Sequence, residues 1–184
     1  MKAAGVVRRF DNLGRIVIPK EIRRSFKIRE RDPLEIFVDF NGEVILKKYS
    51  PIKELGNLTQ TYADSLFEAM GHVICITDRD TIVAVGGAKK KALLNCTIDA
   101  VVEEVIRTRK SILISDTSQH EYYRDADKET VISFYAIIIF PIISEGEPVG
   151  AVIIGSMSKD SELGESELKH AEIAAGFLAK LIDF

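Results

Sequence analysis

The sequence predicts an α+β protein in two parts: a β-rich basic head over residues 1–50 and a larger body built as an antiparallel sheet with helices packed on it. Three observations carry this prediction. Residues 1–50 hold 12 Lys and Arg against seven Asp and Glu, a net +5, whereas residues 51–184 hold 13 against 21, a net −8, so the overall −3 hides a split. Short β-branched runs in the head are closed by Asp, Asn and Gly, the residues of tight turns. In the body, apolar residues switch between strand-like runs and helical 3- and 4-residue spacing.

The head begins with "AGVVRRF", where Val6, Arg8 and Phe10 alternate with Val7 and Arg9, the pattern of a half-buried strand. "DNLG" makes a turn, and "RIVI" is a second strand. Asp11 and Asn12 form that turn, and Asp11 is placed to pair with a neighbouring arginine and orient it. Pro19 suits the first position of a helix, where its missing N–H costs nothing. In "PKEIRRSF", Ile22 and Phe26 share one face while Arg23 and Arg24 leave it. "DPLEIFVDF" and "EVILKKY" then flank Asn41-Gly42, which predicts a hairpin with a type I′ turn. Lys47 and Lys48 read as guards of a sheet edge. Fifty residues of this kind bury little core alone, and no cysteine or metal ligand staples them. An obligate dimer with strands shared between chains is the expected remedy.

Ser50-Pro51 ends the head. Leu55, Leu58, Tyr62 and Leu66 recur at helical spacing up to Gly71, a C-terminal cap, and define a connector helix over 51–71. The body proper, 72–184, follows. "HVICITD" and "TIVAVGG" are strands around an Asp78-Arg79-Asp80 turn. Ile98, Val101, Val102, Val105 and Ile106 make one face of a helix. "SILIS" is a short strand, and "SFYAIIIFPII" and "PVGAVIIGS" are buried strands joined by a turn at Gly146. A last helix from Glu165 carries a seam of Leu168, Ala171, Ala175, Leu178 and Ile182.

Several function classes lose support at this level. The apolar fraction of 46% and charged fraction of 29% are those of a soluble globular protein, and no apolar run approaches the ~18 residues that span a bilayer. Residues 1–5 lack a signal peptide's apolar core. Cys75 and Cys96 form no motif and read as reduced, buried apolar residues, so cytoplasm is the expected compartment. His72, His120 and His170 have no metal-ligand spacing. Glu103 and Glu104 read as surface. No nucleophile elbow or phosphate-binding loop occurs, so no enzyme, cofactor or metal is expected.

"GVVRRFDNLGRIVIPKEIRRSFKI" together with "DPLEIFVDFNGEVILKKYSP" resembles the AbrB-type swapped-hairpin DNA-binding family. The stretches "HVICITDRD", "VAVGG", "GEPVGAVIIGS" and "AAGFLAK" resemble a GAF domain. The combination resembles transcription regulators of sporulation. It implies a cytoplasmic, nucleoid-associated protein of the forespore that binds double-stranded DNA as a homodimer and pairs further into a homotetramer. By the same resemblance the DNA-contacting residues are Arg8, Arg15, Arg23 and Arg24, with Arg9 keeping a basic position. The GAF body is expected to sense a small-molecule ligand or to set the oligomeric state. A loop over 116–130, with Tyr122, Tyr123 and Arg124, is placed to close its pocket. An alternative, an AbrB-like antitoxin binding a partner toxin, would need an acidic tail that stays unfolded; residues 51–184 read as folded.

Overall fold

A computed structural model describes residues 5–30, 32–88, 90–116, 134–159 and 163–183. The chain divides into two compact units, Met1–Tyr49 and Ser50–Phe184.

The first unit contains a short helix α1 (Lys20–Ser25) and a two-stranded antiparallel sheet, β1 (Leu34–Val38) and β2 (Val44–Lys48). Pro19 is the N-cap of α1, one residue before the helix proper. The helix ends in a Schellman motif: Ile28 N–H donates to the Arg23 carbonyl at 2.7 Å and Lys27 N–H to the Arg24 carbonyl at 3.1 Å. Lys27 takes the left-handed position at φ 50° that glycine usually fills. The hairpin turn differs from the predicted type I′. Asp39 N–H donates to the Glu43 carbonyl and Gly42 N–H to the Asp39 carbonyl, with Gly42 at φ 79°. This is a three-residue loop ending in a glycine bulge. The Asp39 carboxylate selects it by accepting from Asn41 N–H and Glu43 N–H at 3.0 and 2.8 Å.

The two strands predicted over 6–10 and 15–18 do not form as strands within this chain. Their backbones find no ladder here beyond the turn between them. Among the described residues of this unit, Pro19 alone is buried. Phe10, Leu13, Val17, Phe26, Ile36 and Val38 are between 63% and 74% exposed. One copy of the head is thus an apolar surface without a core.

The second unit is the opposite case. Helices α2 (Pro51–Glu54) and α3 (Asn57–Met70) lead into β3 (Val73–Thr77) and β4 (Ile82–Gly86). Helices α4 (Lys90–Leu93) and α5 (Ala100–Thr108), strands β5 (Ile112–Ile114), β6 (Ala136–Ser144) and β7 (Glu147–Ser156), and helix α6 (Glu165–Ile182) follow. The sheet is antiparallel throughout, in the order β4-β3-β7-β6-β5. Alternate residues serve its two faces. Cys75, Val85, Ile137, Ile139 and Ile153 pack against Val102, Val105 and Ile106 of α5 on one side. Ile74, Ile76, Ile138, Val152 and Ile154 pack against α2, α3 and α6 on the other. With both faces covered, the strands are almost continuously apolar. Burial of Cys75 pushes its thiol up to about 12, so it stays protonated.

The connector is two helices, α2 and α3, in place of the single helix predicted over 51–71, and Leu55, Tyr62 and Leu66 of the predicted stripe pack partly buried on the core. The buried residues of α3 are the small Thr59 and Ala63, while Leu58 of the predicted stripe is exposed. Gly86 is the reason. A Cβ there would lie 2.0 Å from the Ala63 carbonyl oxygen, so α3 seats backbone-close on β4. Gln60 fixes the contact by donating to the Val85 carbonyl at 2.9 Å and accepting from Val85 N–H at 3.2 Å. At the β3–β4 turn, Asp78 accepts from Lys53 Nζ at 2.8 Å and from Asp80 N–H and Thr81 N–H at 2.8 and 2.6 Å. Burial pushes the Asp78 carboxyl up, but these donors and the Lys53 charge together outweigh it and hold it below its usual range.

Candidate nucleic-acid interface

All five arginines singled out from the sequence, Arg8, Arg9, Arg15, Arg23 and Arg24, are exposed. Arg23 and Arg24 lie in the last turn of α1, where positive charge complements the helix dipole. Arg8 and Arg9 lie on the irregular segment before the first turn. None of the side chains of these four makes a hydrogen bond or ion pair among the described residues, so four full charges stand free on one small unit.

Arg15 is held. The first turn is closed by Asp11 N–H donating to the Arg15 carbonyl at 3.0 Å and Gly14 N–H to the Asp11 carbonyl at 3.1 Å. Gly14 supplies the left-handed step at φ 72°. The Asp11 carboxylate accepts from Leu13 N–H at 2.9 Å and Arg15 N–H at 2.8 Å. Its other oxygen accepts from Arg15 Nε at 2.7 Å. The Arg15 backbone N–H and then its guanidinium hold the Asp11 carboxyl below the usual range. The pairing of Asp11 with a neighbouring arginine is therefore as the sequence suggested.

Lys48 is not a plain edge guard. Its ammonium donates to the Lys27 carbonyl at 3.0 Å and lies 3.4 Å from Asp32, tying the end of α1 to the hairpin. No local sequence signal announces this tie, which spans 21 positions. Lys47 sits 6.0 Å from the centre of the Phe37 ring. In the second unit the predicted pocket loop with Tyr122, Tyr123 and Arg124 lies outside the described residues, as does His120. Among the described residues, no group of three or more His, Cys, Asp or Glu could hold a metal, and no helix is long and apolar enough to cross a membrane.

A β-turn head studded with free arginines, joined to an antiparallel sheet with helices on both faces, defines a class: a DNA-binding transcription factor with an AbrB-like head and a GAF-like body. The profile of the family described as "Stage V sporulation protein T C-terminal, transcription factor" matches residues 54–183. One described as "Antidote-toxin recognition MazE, bacterial antitoxin" matches residues 7–54. The chain is 50% identical over 183 residues to stage V sporulation protein T of Bacillus subtilis (strain 168), covering 100% of this chain and 99% of that protein. It is also 57% identical over 51 residues to the transition state regulatory protein AbrB of the same organism, covering 28% of this chain and 52% of that one. The GAF domain of an Acinetobacter phosphoenolpyruvate-protein phosphotransferase shares the fold at a TM-score of 0.55 and 14% identity, covering 74% of this chain and 84% of that chain, and the PixJ GAF domain of Thermosynechococcus elongatus does so at a TM-score of 0.56 and 14% identity, covering 74% of this chain and 89% of that chain. The chain belongs to the stage V sporulation protein T family. That places it among sporulation transcriptional regulators and not among antitoxins: the full-length relative is a sporulation protein, and residues after the head fold compactly.

Proposed function

We propose that the head binds double-stranded DNA as a homodimer through Arg8, Arg9, Arg15, Arg23 and Arg24 of each copy, and regulates forespore genes. The observation that carries this reading is the pairing of free guanidinium groups with exposed apolar residues on the same small unit. The apolar residues call for a second copy, and doubling the head doubles its +5 charge into one polyanion-binding surface. The body contributes regulation and no catalysis, and the protein works in the cytoplasm at the nucleoid. A second apolar face supports the further pairing of dimers into a homotetramer: Leu58 on α3 and Ile173 and Phe177 on α6 are exposed, with the Tyr62 ring tilted at 43° against Phe177 at a centroid distance of 4.8 Å.

The test uses full-length protein and target-promoter DNA. Arg15→Ala and Arg24→Ala are expected to lose binding at ~150 mM salt, where non-specific attraction is largely screened, while light scattering shows the wild-type oligomer. Wild-type affinity in both variants would refute the site. A monomer mass for wild type would refute the dimer.

A further inference from the structure

The five arginines are not equivalent, and Asp11 is the cause. We propose that Asp11 is a positioning residue that makes Arg15 the base-reading arginine of the head, aimed at a guanine edge, while the unpaired arginines serve the phosphate backbone. This rests on the proposed binding of duplex DNA by the head.

The geometry runs from backbone to guanidinium. Two backbone N–H groups, of Leu13 and Arg15, fix the Asp11 carboxylate. The carboxylate then fixes Arg15 through Nε at 2.7 Å. A long side chain that ordinarily samples many rotamers is thereby ordered before DNA arrives. With Nε engaged, the terminal nitrogens keep their N–H donors as a fork. That fork matches the O6 and N7 acceptors of guanine in the major groove.

Charge argues the same way. The Asp11–Arg15 pair is neutral, so docking it releases few counterions, and its carboxylate repels a phosphate placed beside it. It is poorly suited to the backbone and well suited to a base edge. Arg8, Arg9, Arg23 and Arg24 have the opposite character. Each carries its full charge on a side chain with no partner among the described residues, which suits phosphate contacts that position without reading sequence.

The probe is a pool of duplexes of about 30 base pairs with a randomised centre, long enough for two half-sites a helical turn or two apart, selected with full-length wild-type protein. Two quantities are read for each variant: preference for a selected duplex over a scrambled one, and the slope of log K against log salt. Asp11→Asn keeps an oxygen for the two backbone donors but removes the charge that holds Nε. It is expected to lose roughly tenfold in preference, concentrated at a G·C position of each half-site. Its salt slope should stay as steep or steepen, because Arg15 is released as a free cation. Arg15→Lys leaves every backbone bond of the turn in place and is expected to lose the same preference, since lysine has no planar guanidinium to be held at Nε with its outer donors presented in a fixed fork. Arg24→Ala, read at salt low enough for binding to be measured, should instead weaken selected and scrambled duplexes alike, flatten the slope by about 0.9 for each phosphate it no longer neutralises and keep the preference.

Wild-type preference in Asp11→Asn with oligomer mass and melting unchanged overturns the proposal. So does retained preference in Arg15→Lys, which decides the matter if the Asn variant loses its turn. A pool in which wild type selects no sequence at all overturns instead the DNA-reading function itself.

Discussion

The head contains the same turn twice. Asp11-Asn12-Leu13-Gly14-Arg15 and Asp39-Phe40-Asn41-Gly42-Glu43 both place an aspartate first and a left-handed glycine fourth, at φ 72° and 79°. In both, the aspartate N–H donates to the fifth carbonyl and the glycine N–H donates back to the aspartate carbonyl. In both, one carboxylate oxygen accepts from the third and fifth backbone N–H groups. They differ in the other oxygen. Asp11 gives it to Arg15 Nε at 2.7 Å, whereas Asp39 gives it to Asn41 Nδ2 at 3.2 Å. They differ also in what they close. The second turn joins β1 to β2 in a full register from Leu34↔Lys48 to Val38↔Val44, while the first joins two segments that form no strand within this chain. Turn chemistry is local and repeats wherever its residues recur. Ladder formation and function are set by what lies beyond the turn.

Exchanging the fifth residues breaks this comparison with the largest effect. Arg15→Glu sets a second carboxylate beside Asp11 and faces it to DNA. Affinity for a selected duplex should fall by about a hundredfold or more, as an attractive base contact gives way to repulsion. Glu43→Arg supplies the same pairing chemistry to the other turn, next to Asp39. It should raise non-specific affinity through its charge and leave sequence preference as it was. Fluorescence anisotropy on matched and scrambled duplexes separates the two. If Glu43→Arg alone changes the preferred sequence, the second turn also faces bases.

A smaller effect tests the shared backbone. A Cβ at Gly14 or Gly42 would meet nothing within 4 Å, so the cost of replacing either is purely conformational. Gly14→Ala and Gly42→Ala should each destabilise the head by ~1 kcal/mol, the penalty of an L-residue in the left-handed region. Urea unfolding followed by circular dichroism should give matching losses. Sequence preference should drop at position 14 alone. A similar drop at position 42 would erase the functional difference between the turns.

How much of this was legible in the sequence follows the same division between local and distant causes. "DNLGR" announces its turn because Asp, Asn and Gly act within five residues, and Asp11's pairing with Arg15 is a four-residue relation. The Asn41-Gly42 pair promised a two-residue loop, but Asp39 lengthened it by capping, a role masked by the apolar–polar alternation through Val38, Asp39 and Phe40. Distant causes were less visible. The stripe of Leu55, Leu58, Tyr62 and Leu66 names the packed face correctly at Leu55, Tyr62 and Leu66 but not at Leu58, and it gives no hint that Thr59 and Ala63 are the most deeply buried, because the close approach of Ala63 to Gly86 is a contact between residues far apart in the chain. Lys48 looked like an exposed edge residue for the same reason: its partners, the Lys27 carbonyl and Asp32, are brought to it by the fold.

A third left-handed residue sharpens the contrast with a gain instead of a loss. Lys27 occupies at φ 50° a Schellman position of the kind that glycine suits better. Lys27→Gly relieves that strain but frees the unfolded chain, so the net stabilisation should be about 0.5 kcal/mol. The Lys27 carbonyl that Lys48 bonds is backbone and survives the change. Urea unfolding should show the gain with DNA preference unaltered. A loss of affinity would place the Lys27 side chain among the phosphate contacts.

The smallest expected effect is none at all, because Asp11 stays ionised across the neutral range. The bonds from Arg15 hold its carboxyl below the usual range, so their contribution is complete above the unfolded value of about 3.9 and is lost as pH falls through the still lower folded value. Residues 1–50 contain no histidine and no cysteine, so no side chain of the head has an ordinary titration between about pH 5 and 8. Sequence preference should therefore be flat across that window, measured on the selected and scrambled duplexes at fixed salt. A loss within that window would have to originate outside the head, in the body, which holds all three histidines of the chain. It would then show that the body controls how the turn reads DNA. A flat profile leaves the body's histidines outside base reading.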